Sequence, residues 1–251
     1  MTDNSIADNI ADLNLLLSYR SMATGDMTAI CMEAARYFLK ISDGDNVSFS
    51  ATSGGVNNVV FYVKQNDKIT HVLRIYNNGN NDAKVIYEHS VLSLLMSESF
   101  SFQIPRTIPS LIEKKKFVQL STGASACLFE LIVGTLPKLA CVREIGRVSG
   151  ELNHAMSKID PSQLPTECPN PPYYDLYKVH HAVSRELFLD KINSADFDPW
   201  RLEADIVMLE IEEIEKMVAV YLKSPLSLPI GLIHGDLHYD NVLCEGKKVT
   251  G

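Results

Sequence analysis

The chain has 251 residues, 46% hydrophobic and 22% charged, with a formal net charge of −8, which fits one large globular domain or two small lobes. The acidic balance disfavours nucleic acid as a partner, because neutralising phosphates takes clustered Lys and Arg, and no apolar run reaches the roughly eighteen residues of a membrane span. Five scattered cysteines without Cys-x-x-Cys spacing argue against a disulfide framework or a zinc site; with an acidic start at Met1-Thr2-Asp3-Asn4 they predict a cytoplasmic protein.

Ile6, Ile10, Leu13 and Leu17 recur at helical spacing and predict a helix over 5–19, with Ser5 and Asp8 as its capping pair. A second helix is predicted from Asp26, its N-cap, through Ile30, Ala34, Tyr37 and Phe38 to a stop at Asp43-Gly44. From Val47 the period changes to two, which predicts strands over 47–51, 59–64 and 69–76. The first two are joined by Ser53-Gly54-Gly55-Val56-Asn57-Asn58 and the last two by a turn at 65–68. Glycines at such a tip let backbone N–H groups approach a phosphate; an ordinary Gly-Gly hairpin turn explains them as well.

Val72, Arg74 and Tyr76 share one face of the third strand. The next helix is expected from Asp82 to about Glu98, where Val85, Glu88, Leu92 and Leu95 fall on one stripe and set a carboxylate among apolar side chains. Such a group needs a cation, since breaking a buried ion pair costs on the order of 3–5 kcal/mol, and Arg74 is the best-placed candidate.

Strands are predicted over 105–112 and 117–120 around the solvated turn Lys114-Lys115-Lys116, followed by a buried strand in Ala126–Gly134. Ile145, Val148, Leu152, Ala155 and Ile159 then mark a helix, with Gly146, Ser149 and Gly150 available for close packing and His154 in a structural role. Prolines between 160 and 172 exclude regular helix there. Tyr173, Tyr174 and Asp175 open a helix to about Ile192, with contact to a substrate or plain packing as their two readings. Asp198-Pro199 start another to about Lys223, expected to bury Val207, Ile211, Ile214, Val218 and Tyr221 beneath a solvated acidic face.

The last stretch, Leu232-Ile233-His234-Gly235-Asp236-Leu237-His238-Tyr239-Asp240-Asn241-Val242-Leu243, reads as a polar loop between two short apolar strands. It holds a carboxylate and a carboxamide at fixed separation, the pair that phosphoryl transfer from a nucleotide uses to orient a hydroxyl and to hold magnesium. Ordinary turn chemistry fits the same residue types. So does the G-D-x-H motif of metallophosphoesterases at Gly235-Asp236-Leu237-His238, which needs further His and Asp clusters downstream.

His234-x-Asp236-x-x-x-x-Asn241, followed by two apolar residues, resembles the catalytic loop of the aminoglycoside phosphotransferase and choline kinase superfamily. The resemblance implies an α+β, protein-kinase-like two-lobed fold, with an N-lobe over 1–133 and a partial, mainly helical C-lobe over 134–251 carrying the loop 232–243. It implies an ATP- and Mg2+-dependent kinase that phosphorylates a hydroxyl of a small molecule, with neither a nucleic acid nor a membrane as partner. Asp236 would be catalytic, Asn241 would hold the metal, and Arg74, braced by Glu88, would contact the phosphates where the family usually has Lys. Gly54, Gly55 and Asn57 would cover the phosphates, and the main chain from Glu130 to Ile132 would bind the adenine edge.

The Gly54–Asn58 and Leu232–Leu243 stretches look most like the homoserine kinase and hydroxylysine kinase branch, which implies an amino acid, amino-alcohol or aminoglycoside-like acceptor. Family members continue into an I-D-F-x segment, whose Asp holds magnesium, and further helices; neither precedes Gly251. The resemblance therefore implies a C-terminally truncated chain and leaves a non-catalytic nucleotide-binding scaffold as the alternative.

Overall fold

Alternating β-branched and aromatic residues, Val59-Val60-Phe61-Tyr62-Val63 and Ile69 to Tyr76, build the centre of an antiparallel sheet. The computed structural model describes residues 24–42, 44–52, 58–76, 81–165, 168–169, 174–175, 177, 184–224 and 231–251. The helix expected at 5–19 and the glycine loop 53–57 lie outside them. The described residues fall into two compact units, one up to Pro169 together with Gly231–Gly251, the other between Asn170 and Ile230.

In the larger unit, β1 (Val47–Ala51), β2 (Asn58–Gln65), β3 (Lys68–Tyr76), β6 (Ser125–Glu130) and β4 (Thr107–Ile108) pair in that order, with β5 (Val118–Gln119) also on β6. All pairings are antiparallel. Asn66 and Asp67, both at positive φ (51° and 64°), form the tight turn between β2 and β3; positive φ at both central residues matches the twist of a two-residue hairpin.

The sheet is covered on both faces. Leu73, Ile75, Val63, Ala126 and Leu128 pack with Met27, Ile30, Cys31, Ala34 and Phe38 of α1 (Thr24–Phe38). Val72, Tyr76, Cys127 and Phe129, from the opposite face, pack with Val85 and Leu92 of α2 (Ala83–Leu95). The period-two pattern thus sends Arg74 to the α2 side. Helix α1 ends at Phe38, short of the predicted Asp43-Gly44, because the chain turns through Ser42, whose N–H donates to Asp45 Oδ2 at 2.8 Å.

The strands predicted over 105–112 and 117–120 shrink to two residues each, and both pair with β6, not with one another. Pro105 and Pro109 offer no N–H to a ladder. The intervening loop is closed on itself, with Lys114 at φ 58° and Ser110 accepting from the Lys115 N–H at 3.0 Å.

Helix α3 (Val142–Met156) buries Val148 and Ala155 and half-buries Ile145 and Leu152, along the expected stripe. Gly146 and Gly150 have open space around them, so no described residue makes the close approach anticipated there. Glu151 fastens α3 to the loop that follows α2 by accepting from the N–H and the hydroxyl of Ser101, each at 2.7 Å.

Beyond β6, Gly134 passes beneath the exit of the 232–243 loop. A Cβ there would stand 2.6 Å from Thr250 Oγ1, 2.8 Å from Leu243 Cβ and 3.2 Å from the Cys244 amide nitrogen. Backbone cannot yield as a flexible side chain can, so Gly134→Ala is expected to destabilise the fold by about 1–3 kcal/mol, read as a lower urea midpoint at unchanged slope.

In the smaller unit, α4 (Arg185–Ile192) starts at Ser184, whose hydroxyl accepts from the Leu187 N–H; of the stretch expected to open this helix, Tyr177 is helical, and residues 173, 176 and 178–183 lie outside the described residues. Tyr174 and Asp175 are outside any helix. A 3-10 turn, Ala195–Trp200, leads into α5 (Arg201–Lys223). The expected burial on α5 is corrected: Val207, Ile214 and Tyr221 are exposed, while Ala204, Met208, Ile211, Glu215 and Val218 face inward. Glu215 on that stripe lies 3.5 Å from the Arg185 guanidinium of α4.

Candidate active site

The polar loop is exposed and its anchor is buried. Val242 and Cys244 pack with Cys141, Val148 and Val249, and Cys244–Glu245 (β7) pairs with Lys248–Val249 (β8) across Gly246 at φ 62°. The strands expected on either side of the loop are not where predicted: 231–234 has no regular structure, and the exit strand starts at Cys244. The loop is instead held by its own polar groups.

Gly235 sits at φ 77°, a conformation that favours glycine. The Asp236 N–H donates to His234 Nδ1 at 3.3 Å, and the Asp236 carbonyl accepts from the His238 N–H at 3.0 Å. Tyr239–Asn241 forms one 3-10 turn, which swings Asn241 back toward Asp236. Asn241 Nδ2 donates to the Asp236 carbonyl at 2.8 Å and to its Oδ2 at 3.1 Å. The two residues singled out by the sequence are therefore in direct contact.

Asn241 spends its amide nitrogen on Asp236, and its Oδ1 makes no hydrogen bond among the described residues. A neutral carbonyl oxygen beside a carboxylate suits magnesium, which takes hard oxygen ligands and completes its octahedron with water and phosphate. The residues present thus fit that ion. Among the described residues no three His, Cys, Asp or Glu side chains converge as a metal cluster.

Arg74 Nη1 and Glu88 Oε1 meet at 2.6 Å, joining β3 to α2, with both side chains about two thirds buried. The guanidinium also lies 5.1 Å from the Phe129 ring centre and 5.7 Å from that of Tyr76, within cation–π range. Burial works against the charge on Arg74 and is the largest single influence, but the Glu88 carboxylate, Tyr76 and Cys127 together outweigh it and hold the guanidinium above its ordinary value.

At the end of β6 the Glu130 N–H donates to the Arg106 carbonyl at 2.9 Å. It is not available to a ligand, which narrows the expected Glu130–Ile132 contact to the Glu130 carbonyl and the Ile132 N–H. Gly54, Gly55 and Asn57 lie outside the described residues. His154 is exposed on α3.

His89, the neighbour of Glu88 on α2, belongs to no motif in the sequence. Its ring is 4% exposed, stacked against Phe117 and Phe129, with Nε2 3.2 Å from the Tyr76 hydroxyl. Burial, then the charges of Arg74 and Lys116, push the imidazole down to about 4. The available signal was its place four residues after Val85 on the inward stripe.

A search of curated proteins by sequence finds no match. Solved structures of similar fold include an amicoumacin kinase, hAmiN, in complex with AMP-PNP, Ca2+ and Ami (TM-score 0.57, 13% identity, 91% of this chain and 63% of that one). A microcompartment-associated aminopropanol kinase matches at TM-score 0.53 and 18% identity, over 86% of this chain and 66% of that one. The chain thus spans less than two thirds of the length of either. At these identities the likeness establishes an α+β kinase-like fold. The sequence profile of the phosphotransferase enzyme family matches residues 48–251. Running from the second residue of β1 through the Arg74–Glu88 pair and the Asp236–Asn241 loop, that match makes the chain a member of the phosphotransferase enzyme family.

Proposed function

We propose that the protein is an ATP- and magnesium-dependent kinase of a small hydroxyl-bearing molecule. The contact between Asn241 Nδ2 and Asp236 Oδ2 at 3.1 Å carries the reading. It fixes the carboxylate that would orient the acceptor hydroxyl and accept its proton, next to the amide oxygen that would hold the metal. ATP would supply the phosphoryl group, and a magnesium ion held by Asn241 would neutralise charge on it.

Arg74, steadied by Glu88, would bind the phosphates, with Gly54, Gly55 and Asn57 covering them. The Glu130 carbonyl and the Ile132 N–H would take the adenine edge. In this reading 1–133 acts as the nucleotide lobe, 134–251 as the part of the acceptor lobe that contains the catalytic loop, and the protein works in the cytoplasm. The acceptor we favour is an amino-alcohol or hydroxylated amino acid, as in the homoserine and hydroxylysine kinase branch. One relative of similar fold being an aminopropanol kinase supports that class.

The test is ADP release with MgATP over a panel of amino-alcohols, hydroxylated amino acids, aminoglycosides and sugars, beside ATP titrations with and without magnesium. Turnover with one acceptor class is expected. Nucleotide binding indifferent to magnesium, with no ADP release on any acceptor, would replace the kinase by a nucleotide-binding scaffold. In the same assay Glu88→Gln should weaken ATP binding about tenfold by leaving Arg74 half-buried without its counter-charge; unchanged ATP affinity would remove the pair from the site.

A further inference from the structure

Between α2 and the loop that leads into β5 lies a cavity of about 230 Å³, lined by Ile86, His89, Ser90, Lys115, Lys116 and Phe117. One of its wall residues is an imidazole with an unused nitrogen. His89 is 4% exposed, and its Nδ1 is buried without a hydrogen-bond partner.

The neighbours decide which nitrogen carries the proton. The Tyr76 oxygen receives the Cys127 thiol at 3.5 Å and stands beside the Arg74 guanidinium, which can only donate. The one phenolic proton is left for His89 Nε2, 3.2 Å away. A neutral imidazole that accepts at Nε2 carries its hydrogen on Nδ1. The buried orphan is therefore a donor, and leaving it unmet costs free energy.

The rest of the lining shares that polarity. Lys116 donates to the Ser93 hydroxyl and pairs with no carboxylate among the described residues, while Lys115 is paired with Glu113. The Ser90 hydroxyl already donates to the Ile86 carbonyl at 2.8 Å. Phe117 and Ile86 provide an apolar wall beside these groups.

We propose that this cavity binds a small organic anion, its carboxylate or phosphate headgroup on His89 Nδ1 and Lys116 and its flat apolar body against Phe117 and Ile86. The site is separate from the Asp236–Asn241 loop. Because Glu88 is the next residue on α2, an occupant steadies the helix that holds Arg74 and so tightens ATP binding; this consequence rests on the proposed role of that pair, whereas the binding itself does not.

Titration of the whole protein with benzoate and with phenyl phosphate, followed by the ring-nitrogen resonances of His89, tests it. Both should give saturable shifts, with inorganic phosphate and benzyl alcohol, each lacking one half of the ligand, at least about tenfold weaker. The tighter of the two aromatic anions identifies the headgroup. K116Q, an exposed change, should weaken both about tenfold, and H89F, followed by ligand resonances, should abolish the preference for anions over benzyl alcohol. Absence of saturation by either anion, equal affinity in K116Q, or displacement of the anion by ATP would overturn the site. Saturable binding that leaves ATP affinity unchanged would overturn only the coupling to Arg74–Glu88.

Discussion

Asp236→Ala is expected to lower phosphoryl transfer by about 10²–10⁴-fold, the usual worth of a positioned proton acceptor, while ATP affinity changes by less than about twofold. The separation of the two effects follows from the geometry. The carboxylate is exposed, so removing it opens no cavity and should move stability by no more than about 0.5 kcal/mol. Asn241 loses its 3.1 Å contact with Oδ2 but keeps the 2.8 Å bond to the Asp236 carbonyl, which the alanine variant retains. The loop should therefore hold its shape and the amide proposed to hold the metal, while losing the group proposed to orient the acceptor. Turnover at saturating acceptor and ATP binding by calorimetry measure the two separately, and a variant that keeps a tenth or so of its turnover would strip Asp236 of the assigned role.

On acidification the protein should lose on the order of 3 kcal/mol of stability through His89 alone. In the folded chain the imidazole is pushed from the ordinary 6.5 to about 4, by burial first and then by the cations Arg74 and Lys116. Between those two values the unfolded chain binds a proton that the folded chain refuses, so stability is complete above about 6.5 and falls as the pH drops toward 4. Urea unfolding across that window should show the loss, and carboxylates elsewhere will add to it. The difference between the parent protein and His89→Phe isolates the histidine: the variant's curve should be flatter by the stated amount, and parallel curves would show that the ring is not held neutral by its surroundings.

Much of this was legible in the sequence, for reasons that particular residues make plain. A strand face and a helix stripe have fixed periods, so Arg74 and Glu88 could be matched before any coordinates, and the partner chosen for Glu88 is the one it has. The loop could be read because Gly235, Asp236 and Asn241 act over a few residues.

Other features depend on the third dimension. Large apolar residues on α5 occur at 202, 206, 207, 208, 209, 211, 214, 217, 218, 220, 221 and 222, enough for more than one stripe, so spacing alone does not select the one that faces inward. The strand expected over 105–112 is longer than the one formed because its Thr and Ile suit a sheet while Pro105 and Pro109 withhold donors. His89 gave little notice of burial, since nothing in a sequence shows that two phenylalanines from separate strands and loops will close over its faces.

The join between Thr135 and Cys244 has a mechanical meaning. The two residues exchange both backbone hydrogen bonds, at 2.9 and 2.8 Å, so the segment just past β6 and the stem of the Asp236 loop are riveted together a few residues from each business end. If Glu130 and Ile132 take the adenine edge as proposed, that edge would be kept at a constant reach from the aspartate, as on a caliper with its screw tightened. Ligands of different length would have to adapt to that span, since the span cannot adapt to them.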